Sequence, residues 1–356
     1  MKKKGVEPTL IIPNRGPLEK LLLENNIKYK IFKQYYWIVN IDKPKTLKDS
    51  VKWFLKQIIN FMQELRICLF IKQRKIEIVH INAITSSNGY IAAKLGKVPI
   101  VWHIREFLEE DLNRDFRNRK KAISRLNKSD CIITVSDSVK NKYNEILNNK
   151  NMIRIYNGID PTPYLDLKNK QFERNNIILT LVGRLVPQKG HKEVLFALYK
   201  VAENYKRKLK VRFVGDKGNG MFLSELKEIV KELELENIIE FINYRSDIHN
   251  VWAETDIALV ASKAEAFGRV TVEAMLGGAL VIGADTAGTA ELISEKYGLL
   301  YKQGDYISLA NTITYAIAHQ EEMKKKTFYA RKYALENFTA ENNADNVYEV
   351  YRTLVD

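Results

Sequence analysis

The sequence has few of the features that mark secreted, membrane-spanning or metal-binding proteins. Only two of its 356 residues are cysteines, Cys68 and Cys131, and they lie in apolar surroundings without metal-ligand spacing. We interpret them as buried, reduced thiols. No apolar run reaches the roughly 18–20 residues that a membrane span requires. The basic N-terminus lacks the apolar stretch of a signal peptide, since Pro8 and Pro13 interrupt it. These absences predict a cytoplasmic protein.

Several motifs with known chemistry are also absent. There is no G-x-x-x-x-G-K-[ST] loop, and no G-x-G-x-x-G follows a strand, which argues against a P-loop nucleotidase and a nicotinamide oxidoreductase. Neither zinc-finger spacing nor an RNP signature is present, so nucleic acid is not an expected partner. No Asp-x-Asp pair occurs, which removes a common way of holding a metal-bound diphosphate.

The charge is unevenly distributed along the chain. The net charge is +14, and residues 1–160 contain 31 lysines and arginines against 16 aspartates and glutamates. The remainder is nearly neutral, with 26 basic and 27 acidic residues. A basic half suits an anionic membrane surface, which attracts each nearby Lys or Arg by about 1 kcal/mol. Simple solubility is the alternative interpretation.

Short apolar runs alternate with amphipathic stretches throughout. The predicted strands are Thr9–Pro13, Lys28–Phe32, Ile76–Ile81, Ile100–His103, Cys131–Val135, Ile153–Tyr156, Ile177–Val182, Lys210–Val214, Ile238–Ile242, Ile257–Val260, Leu280–Gly283 and Gly298–Tyr301. Helical patterns between them include Glu193–Asn204, Gly220–Leu235 and Val270–Leu276. This alternation predicts an α/β protein with two doubly wound parallel sheets. The boundary falls near Asn157–Pro163, and ligands are expected in the cleft at the carboxyl ends of the strands.

The segment G-R-L-V-P-Q-K-G at Gly183–Gly190 runs from a strand into a helix. Arg184 and Lys189 place two cations at the carboxyl end of that strand, and a guanidinium can bind two phosphate oxygens at once. A diphosphate would fit between them. A basic surface turn is the alternative.

A second segment contains two glutamates eight positions apart, Glu265 and Glu273, with Gly268 between them. Gly268 precedes a predicted helix, whose first free N–H groups favour an anion. Glu273, within the helix, can accept hydrogen bonds from the two hydroxyls of a ribose. Together the two segments indicate a site for an anionic, hydroxyl-rich ligand.

These motifs, G-R-L-x-x-x-K-G followed by E-x-F-G-x-x-x-x-E-A-M-x-x-G, resemble those of the retaining glycosyltransferases of family 4. The resemblance extends to V-S-D, Y-N-G-I-D, V-G-D and Y-R-S-D at Val135–Asp137, Tyr156–Asp160, Val214–Asp216 and Tyr244–Asp247, and to the final helix at Asn343–Leu354. It implies the GT-B fold, in which two Rossmann-like domains face a central cleft. It also implies an acceptor-binding domain at residues 1–160, a nucleotide-sugar domain at 161–340, and a helix at 341–356 that packs back toward the first domain.

The resemblance assigns roles to particular residues. Arg184 and Lys189 would bind the donor diphosphate and stabilise the leaving nucleotide, Glu273 would hold the ribose, and Glu265 would lie at the transferred sugar. His103, at the end of the V-W-H strand, would lie near the reactive face of that sugar. The positions that match donor-binding residues are Gly183, Tyr244, Phe267, Gly268, Arg269, Val270 and Glu273.

The mechanism implied by the resemblance needs no metal. The two cations can neutralise the diphosphate, and stabilising the leaving group is expected to be the largest contribution of the protein. Either the acceptor attacks on the face that the leaving group vacates, or Glu265 acts as a nucleophile. The expected donor is a UDP- or GDP-linked sugar.

One departure from the family pattern concerns the N-terminus. Members usually begin with a strand, a glycine-rich loop and a helix before the equivalent of Thr9–Pro13, whereas only eight residues precede Thr9 here. Without that strand, the first sheet should have a gap of one strand spacing, about 4.8 Å, which ladder hydrogen bonds cannot bridge. Either another segment fills the centre, the protein starts further upstream, or the first domain is damaged. We therefore expect the chain to bind nucleotide better than it turns over.

The sequence thus predicts a retaining hexosyltransferase on the inner face of the plasma membrane. Its expected acceptor is a lipid-linked or oligosaccharide precursor of cell-surface polysaccharide. The alternative is a weakened or non-catalytic nucleotide-sugar-binding protein. A sugar-nucleotide epimerase of the same fold is disfavoured, because the paired cations and glutamates match transferases better.

Overall fold

The computed structural model describes residues 4–42, 46–167, 176–205, 209–215 and 220–355. The chain divides into two compact units, one formed by Met1–Ile155 and Asn343–Asp356, the other by Tyr156–Asn342. The domain limits expected from the sequence, 1–160 and 161–340, stay a prediction. Asp216 of the V-G-D motif lies outside the described residues.

The first unit contains eight strands and six helices among its described residues. The strands are β1 (Thr9–Ile12), β2 (Lys28–Ile31), β3 (Ile38–Asn40), β4 (Val79–Ile81), β5 (Ile100–Ile104), β6 (Arg114–Phe116), β7 (Cys131–Thr134) and β8 (Met152–Arg154). The first five helices are α1 (Pro17–Glu24), α2 (Leu47–Arg74), α3 (Tyr90–Gly96), α4 (Arg119–Asn127) and α5 (Asp137–Asn144). Its parallel strands form a four-stranded sheet, β4-β5-β7-β8, and a separate pair, β1-β2.

The strands β3 and β6 form a short antiparallel pair that the sequence analysis does not predict. Each has only three residues, and the β6 residues, R-D-F, are mostly polar. A segment this short carries no measurable alternation, so its pairing depends on what the rest of the chain brings beside it.

The second unit contains one six-stranded parallel sheet with helices between its strands. The strands are β9 (Ile177–Val182), β10 (Leu209–Val214), β11 (Ile239–Ile242), β12 (Ile257–Val260), β13 (Leu280–Ala284) and β14 (Gly298–Tyr301), in the order β11-β10-β9-β12-β13-β14. The helices are α6 (His191–Tyr205), α7 (Met221–Glu232), α8 (Ile248–Glu254), α9 (Arg269–Leu276), α10 (Ala287–Leu292), α11 (Tyr306–Ala318) and α12 (Gln320–Asn337). The central strands are buried along nearly their whole length, as expected for a parallel sheet covered on both faces.

The last helix, α13 (Ala340–Val355), packs on the first unit. Val347 and Val350 belong to the same apolar cluster as Val101, Ile133 and Cys131. Cys68 and Cys131 are both buried, unpaired thiols, and burial raises the pKa of Cys131 to about 11. None of the described helices is both long enough and apolar enough to cross a membrane.

Candidate functional site

The loop after β9 lies directly against the loop after β12, the neighbouring strand in the sheet. Gly190 ends the first loop with φ +74°, and a Cβ there would lie 2.0 Å from the carbonyl oxygen of Ala261. The Lys263 amide donates a 2.9 Å hydrogen bond to the Gln188 carbonyl. These backbone contacts fix the two segments that carry the predicted site.

A third loop, after β10, packs equally closely on the first. The Gly183 amide donates a 3.0 Å hydrogen bond to the Val214 carbonyl. A Cβ on Gly215 would lie 1.8 Å from the Gly183 carbonyl oxygen, so a side chain cannot be placed there without moving the backbone. The carboxyl edge of the sheet is therefore formed by main-chain segments in close contact, where only glycine fits at Gly190 and Gly215.

Lys189 and Glu265, which the sequence places 76 residues apart, form an ion pair at this edge. The Lys189 ammonium donates to Glu265 Oε1, and the Ser262 hydroxyl donates to the same oxygen at 2.6 Å. The backbone of Glu265 is also held, because its carbonyl accepts a 2.9 Å hydrogen bond from Gly288. The carboxylate is thus fixed by a cation, a hydroxyl and its own main chain.

The helix α9 begins beside this pair. Gly268 has φ +83°, which favours glycine, and it precedes the first helical residue. Its carbonyl accepts hydrogen bonds from Thr271 and Val272. The preceding amides, of Arg269 and Val270, are helix-start donors of the kind that bind anions.

Glu273 lies one turn into α9 and is largely buried, with its side chain 15% exposed. The guanidinium of Arg269, 3.5 Å away and mostly exposed, is its ion-pair partner. Burial raises the pKa of Glu273, and Arg269 only partly opposes that effect. Burial also raises the pKa of Tyr164, and the negative charge of Glu273 raises it further. Tyr164 is therefore a neighbour of this carboxylate that was not predicted from the sequence.

The other predicted donor-binding residues have different environments. Arg184 and Tyr244 are exposed, at the carboxyl ends of β9 and β11. The Phe267 side chain is 3% exposed and packs against Tyr156 and Phe338, with ring centroids 5.8 Å apart in each case. Phe267 can therefore contact a ligand through its backbone, whereas its ring belongs to the core.

His103 lies within β5 of the first unit and is fully buried. Burial lowers the pKa of His103 to about 2, and the neighbouring Arg105 and His80 add to the effect. Arg105 Nη2 lies 3.3 Å from His103 Nδ1, and the His80 ring centroid is 5.3 Å away. The role predicted for His103 stays a prediction.

Several polar side chains near His103 were not predicted from the sequence to belong to a site. His80 Nδ1 is 2.6 Å from the hydroxyl of Tyr351 in α13, and Arg105 Nε donates to Asn82 Oδ1 at 2.8 Å. The available signal was position, because Asn82 and Arg105 each directly follow a parallel strand. Within the described ranges, no three His, Cys, Asp or Glu residues are grouped in a way that could hold a metal ion.

Comparison with known proteins gives matches over both halves of the chain. Residues 165–333 match the model described as Glycosyl transferases group 1, and residues 1–162 match the one described as Glycosyltransferase Family 4. A similar curated protein is N-acetyl-alpha-D-glucosaminyl L-malate synthase of Bacillus anthracis, 26% identical over 64% of this chain. The chain spans 60% of that relative's length.

Two further matches cover most of the chain. UDP-Gal:alpha-D-GlcNAc-diphosphoundecaprenol alpha-1,3-galactosyltransferase of Escherichia coli is 24% identical over 87% of this chain and 86% of its own length. The crystal structure of Anabaena Alr3699/HepE in complex with UDP and glucose aligns with a TM-score of 0.78 and 22% identity, over 97% of this chain and 92% of that one.

Proposed function

Since this chain belongs to the glycosyltransferases whose N-terminal half matches Family 4 and whose C-terminal half matches group 1, we propose that it is a retaining hexosyltransferase using a UDP- or GDP-linked sugar. Transfer of a sugar from a nucleotide-sugar is the activity of the family, and the predicted GT-B fold is confirmed. The observation that carries the proposal is the convergence of Lys189, Glu265 and the start of α9 at one edge of the second sheet.

The proposed donor site uses each of these groups for a different part of the ligand. Arg184 and Lys189 bind the diphosphate, together with the amides of Arg269 and Val270. Glu273 accepts hydrogen bonds from the ribose hydroxyls. The Lys189 ammonium must then donate hydrogen bonds both to the phosphate and to Glu265. Binding of the diphosphate therefore changes the hydrogen bonding of the carboxylate that lies beside the sugar.

In the proposed reaction the bond between the anomeric carbon and the phosphate oxygen breaks. The electron pair leaves with the nucleoside diphosphate, where the two cations stabilise the developing charge. An acceptor hydroxyl oxygen forms the new bond, and its proton passes to the departing phosphate. Because Lys189 and Ser262 both donate to Oε1 of Glu265, that carboxylate is better suited to stabilising positive charge on the sugar than to attacking it. This favours same-face attack over a covalent intermediate.

The acceptor is proposed to be a lipid-linked precursor of a cell-surface polysaccharide. One relative's name includes a diphosphoundecaprenol acceptor, and the basic N-terminal half suits an anionic surface. The enzyme would then work on the inner face of the plasma membrane. The alternative remains a weakened or non-catalytic nucleotide-sugar-binding protein.

Thermal-shift measurement against a panel of nucleotides and nucleotide-sugars is the first test. A bound donor stabilises the folded protein by mass action, so UDP or GDP and one of their sugars should stand out. Hydrolysis or transfer of the selected donor then separates the enzyme from the binding protein. Absence of any nucleotide-dependent shift would refute both.

A further inference from the structure

The helix α2 carries an apolar stripe that the described protein leaves uncovered. Its members, Val51, Phe54, Ile58, Phe61, Leu65 and Leu69, are each between 42% and 62% exposed. Successive members are three or four residues apart. At 100° per residue they occupy one arc of roughly 80°, so they form one continuous strip along the helix.

This stripe is on a helix that is fixed in place. A neighbouring side of α2 buries Glu64, Ile67, Cys68 and Ile71, and the Glu64 carboxylate accepts hydrogen bonds from Gly89 and Ala92 at 2.7 and 2.8 Å. Thr46 and Asp49 form a capping box at its start. The apolar side chains therefore remain on the surface because other residues of the same helix already pack against the protein.

Basic residues run along one side of the stripe. Lys48, Lys52 and Arg66 are all exposed, and at 100° per residue they lie roughly 60–100° around the helix from the nearer edge of the stripe. Of the two acidic residues of α2, Glu64 is buried and Asp49 is engaged in the helix cap. Aliphatic stems of Lys and Arg can cover apolar surface while their charges reach anionic groups.

We propose that α2 lies flat on an anionic lipid bilayer, with the stripe inserted among the acyl chains and the basic side chains against the headgroups. This rests on the proposed function in one respect only, the membrane-bound acceptor, and it assigns the membrane contact to one helix. A helix of 28 residues is about 42 Å long, and an apolar face with a cationic flank is the pattern of interfacial helices.

A second copy of the chain fits this surface less well. Two α2 helices packed along their stripes would bring lysines alongside lysines, without the acidic partners that flank the seam in coiled-coil dimers. An anionic bilayer meets both the apolar and the cationic parts of the surface. Charge complementarity therefore selects the lipid.

Flotation with mixed phosphatidylglycerol and phosphatidylcholine vesicles tests this directly. The protein should float with these vesicles, less so at high salt, and much less with phosphatidylcholine alone. The double variant Phe54→Ser/Phe61→Ser should reduce the binding constant about tenfold. Phe328→Ser, which removes a phenylalanine 54% exposed on α12, should leave it unchanged.

A charge variant and two controls complete the test. Lys48→Gln/Lys52→Gln should weaken binding to anionic vesicles roughly fivefold or more, while circular dichroism confirms that all variants fold. Equal flotation of wild type and the Phe54/Phe61 variant, or no flotation at all, would overturn the proposal. So would a dimer in solution that the Phe54/Phe61 variant dissociates. Nucleotide-dependent thermal shifts of the same proteins report on the donor site independently. A variant that loses membrane binding should therefore still bind nucleotide, and failure of the membrane proposal can be distinguished from failure of the proposed function.

Discussion

Replacing Glu273 by glutamine should stabilise the free protein and weaken its binding of nucleotide. The Glu273 side chain is 15% exposed, so its carboxylate has lost most of its hydration. The compensating cation, Arg269, is itself 60% exposed at 3.5 Å, and such helix pairs contribute only about 0.3–0.5 kcal/mol. Removing the charge should therefore stabilise the second unit by about 1 kcal/mol, or about 2–4 °C in Tm.

The effect has a defined pH dependence. Burial raises the pKa of Glu273 above its usual 4.5, so the protonated form is favoured on folding. The stability that this group contributes is present below pH 4.5 and is lost as the pH rises through the raised folded-state pKa. The advantage of the Glu273→Gln variant should thus be full at neutral pH and shrink in acid.

Nucleotide affinity should change in the opposite direction. A carboxylate accepts stronger hydrogen bonds from hydroxyls than an amide does, so we expect a loss of about 1–2 kcal/mol, or 5- to 30-fold in Kd. Calorimetric unfolding at several pH values and titration with UDP or GDP measure the two effects. Glu336→Gln is the matched control, since Glu336 pairs with Lys332 at the same helical spacing but is 60% exposed. A destabilised Glu273→Gln protein with unchanged affinity would refute the reasoning.

Three further substitutions and the removal of divalent metals test other parts of the proposal. Lys189→Met should weaken nucleotide binding, measured by titration, roughly 10- to 100-fold. The control Lys192→Met removes an exposed ion pair and should leave nucleotide binding unchanged. Equal effects of the two substitutions would contradict the proposed diphosphate contact. Gly190→Ala should lower the free energy of unfolding, measured with denaturant, by more than about 3 kcal/mol, because its Cβ would lie 2.0 Å from a backbone oxygen. Gly304 has a similar φ but open space around it, so Gly304→Ala should lower the free energy of unfolding by only about 1 kcal/mol. His103, whose pKa burial lowers to about 2, should remain uncharged, so His103→Gln should change the transfer rate without changing the shape of its pH profile between roughly pH 5 and 9. Chelation of divalent metals should leave the rate of sugar transfer unchanged. If chelation abolished transfer and added Mg²⁺ restored it, the predicted metal independence would be wrong.

The parallel strands were predictable because each is a short apolar run with its own local signal. Strands such as Ile177–Val182 and Ile257–Val260 have the bounds that the sequence predicts, since burial on both faces requires continuous apolar residues. The polar, three-residue strand Arg114–Phe116 lacks that signal. Its pairing with Ile38–Asn40 depends on residues far away in the chain.

The candidate site divides in the same way. The glycines, Arg184, Lys189 and the two glutamates are identifiable from spacing, because backbone turns and helix starts need particular residues. The ion pair of Lys189 with Glu265, and the hydroxyl of Ser262 on the same oxygen, follow from β9 and β12 being neighbours in the sheet. Sequence order does not contain that adjacency.

By itself, the sequence determined where most of the parallel strands and the glycine-containing turns lie, because these depend on local residue type and backbone conformation. Only the tertiary structure decided which charges are buried and which apolar residues remain exposed. Glu273 has a raised pKa because of what packs around it. In α2, apolar residues occur on more than one side of the helix, and packing of Ile67 and Ile71 into the protein is what leaves Phe54 and Phe61 on the surface.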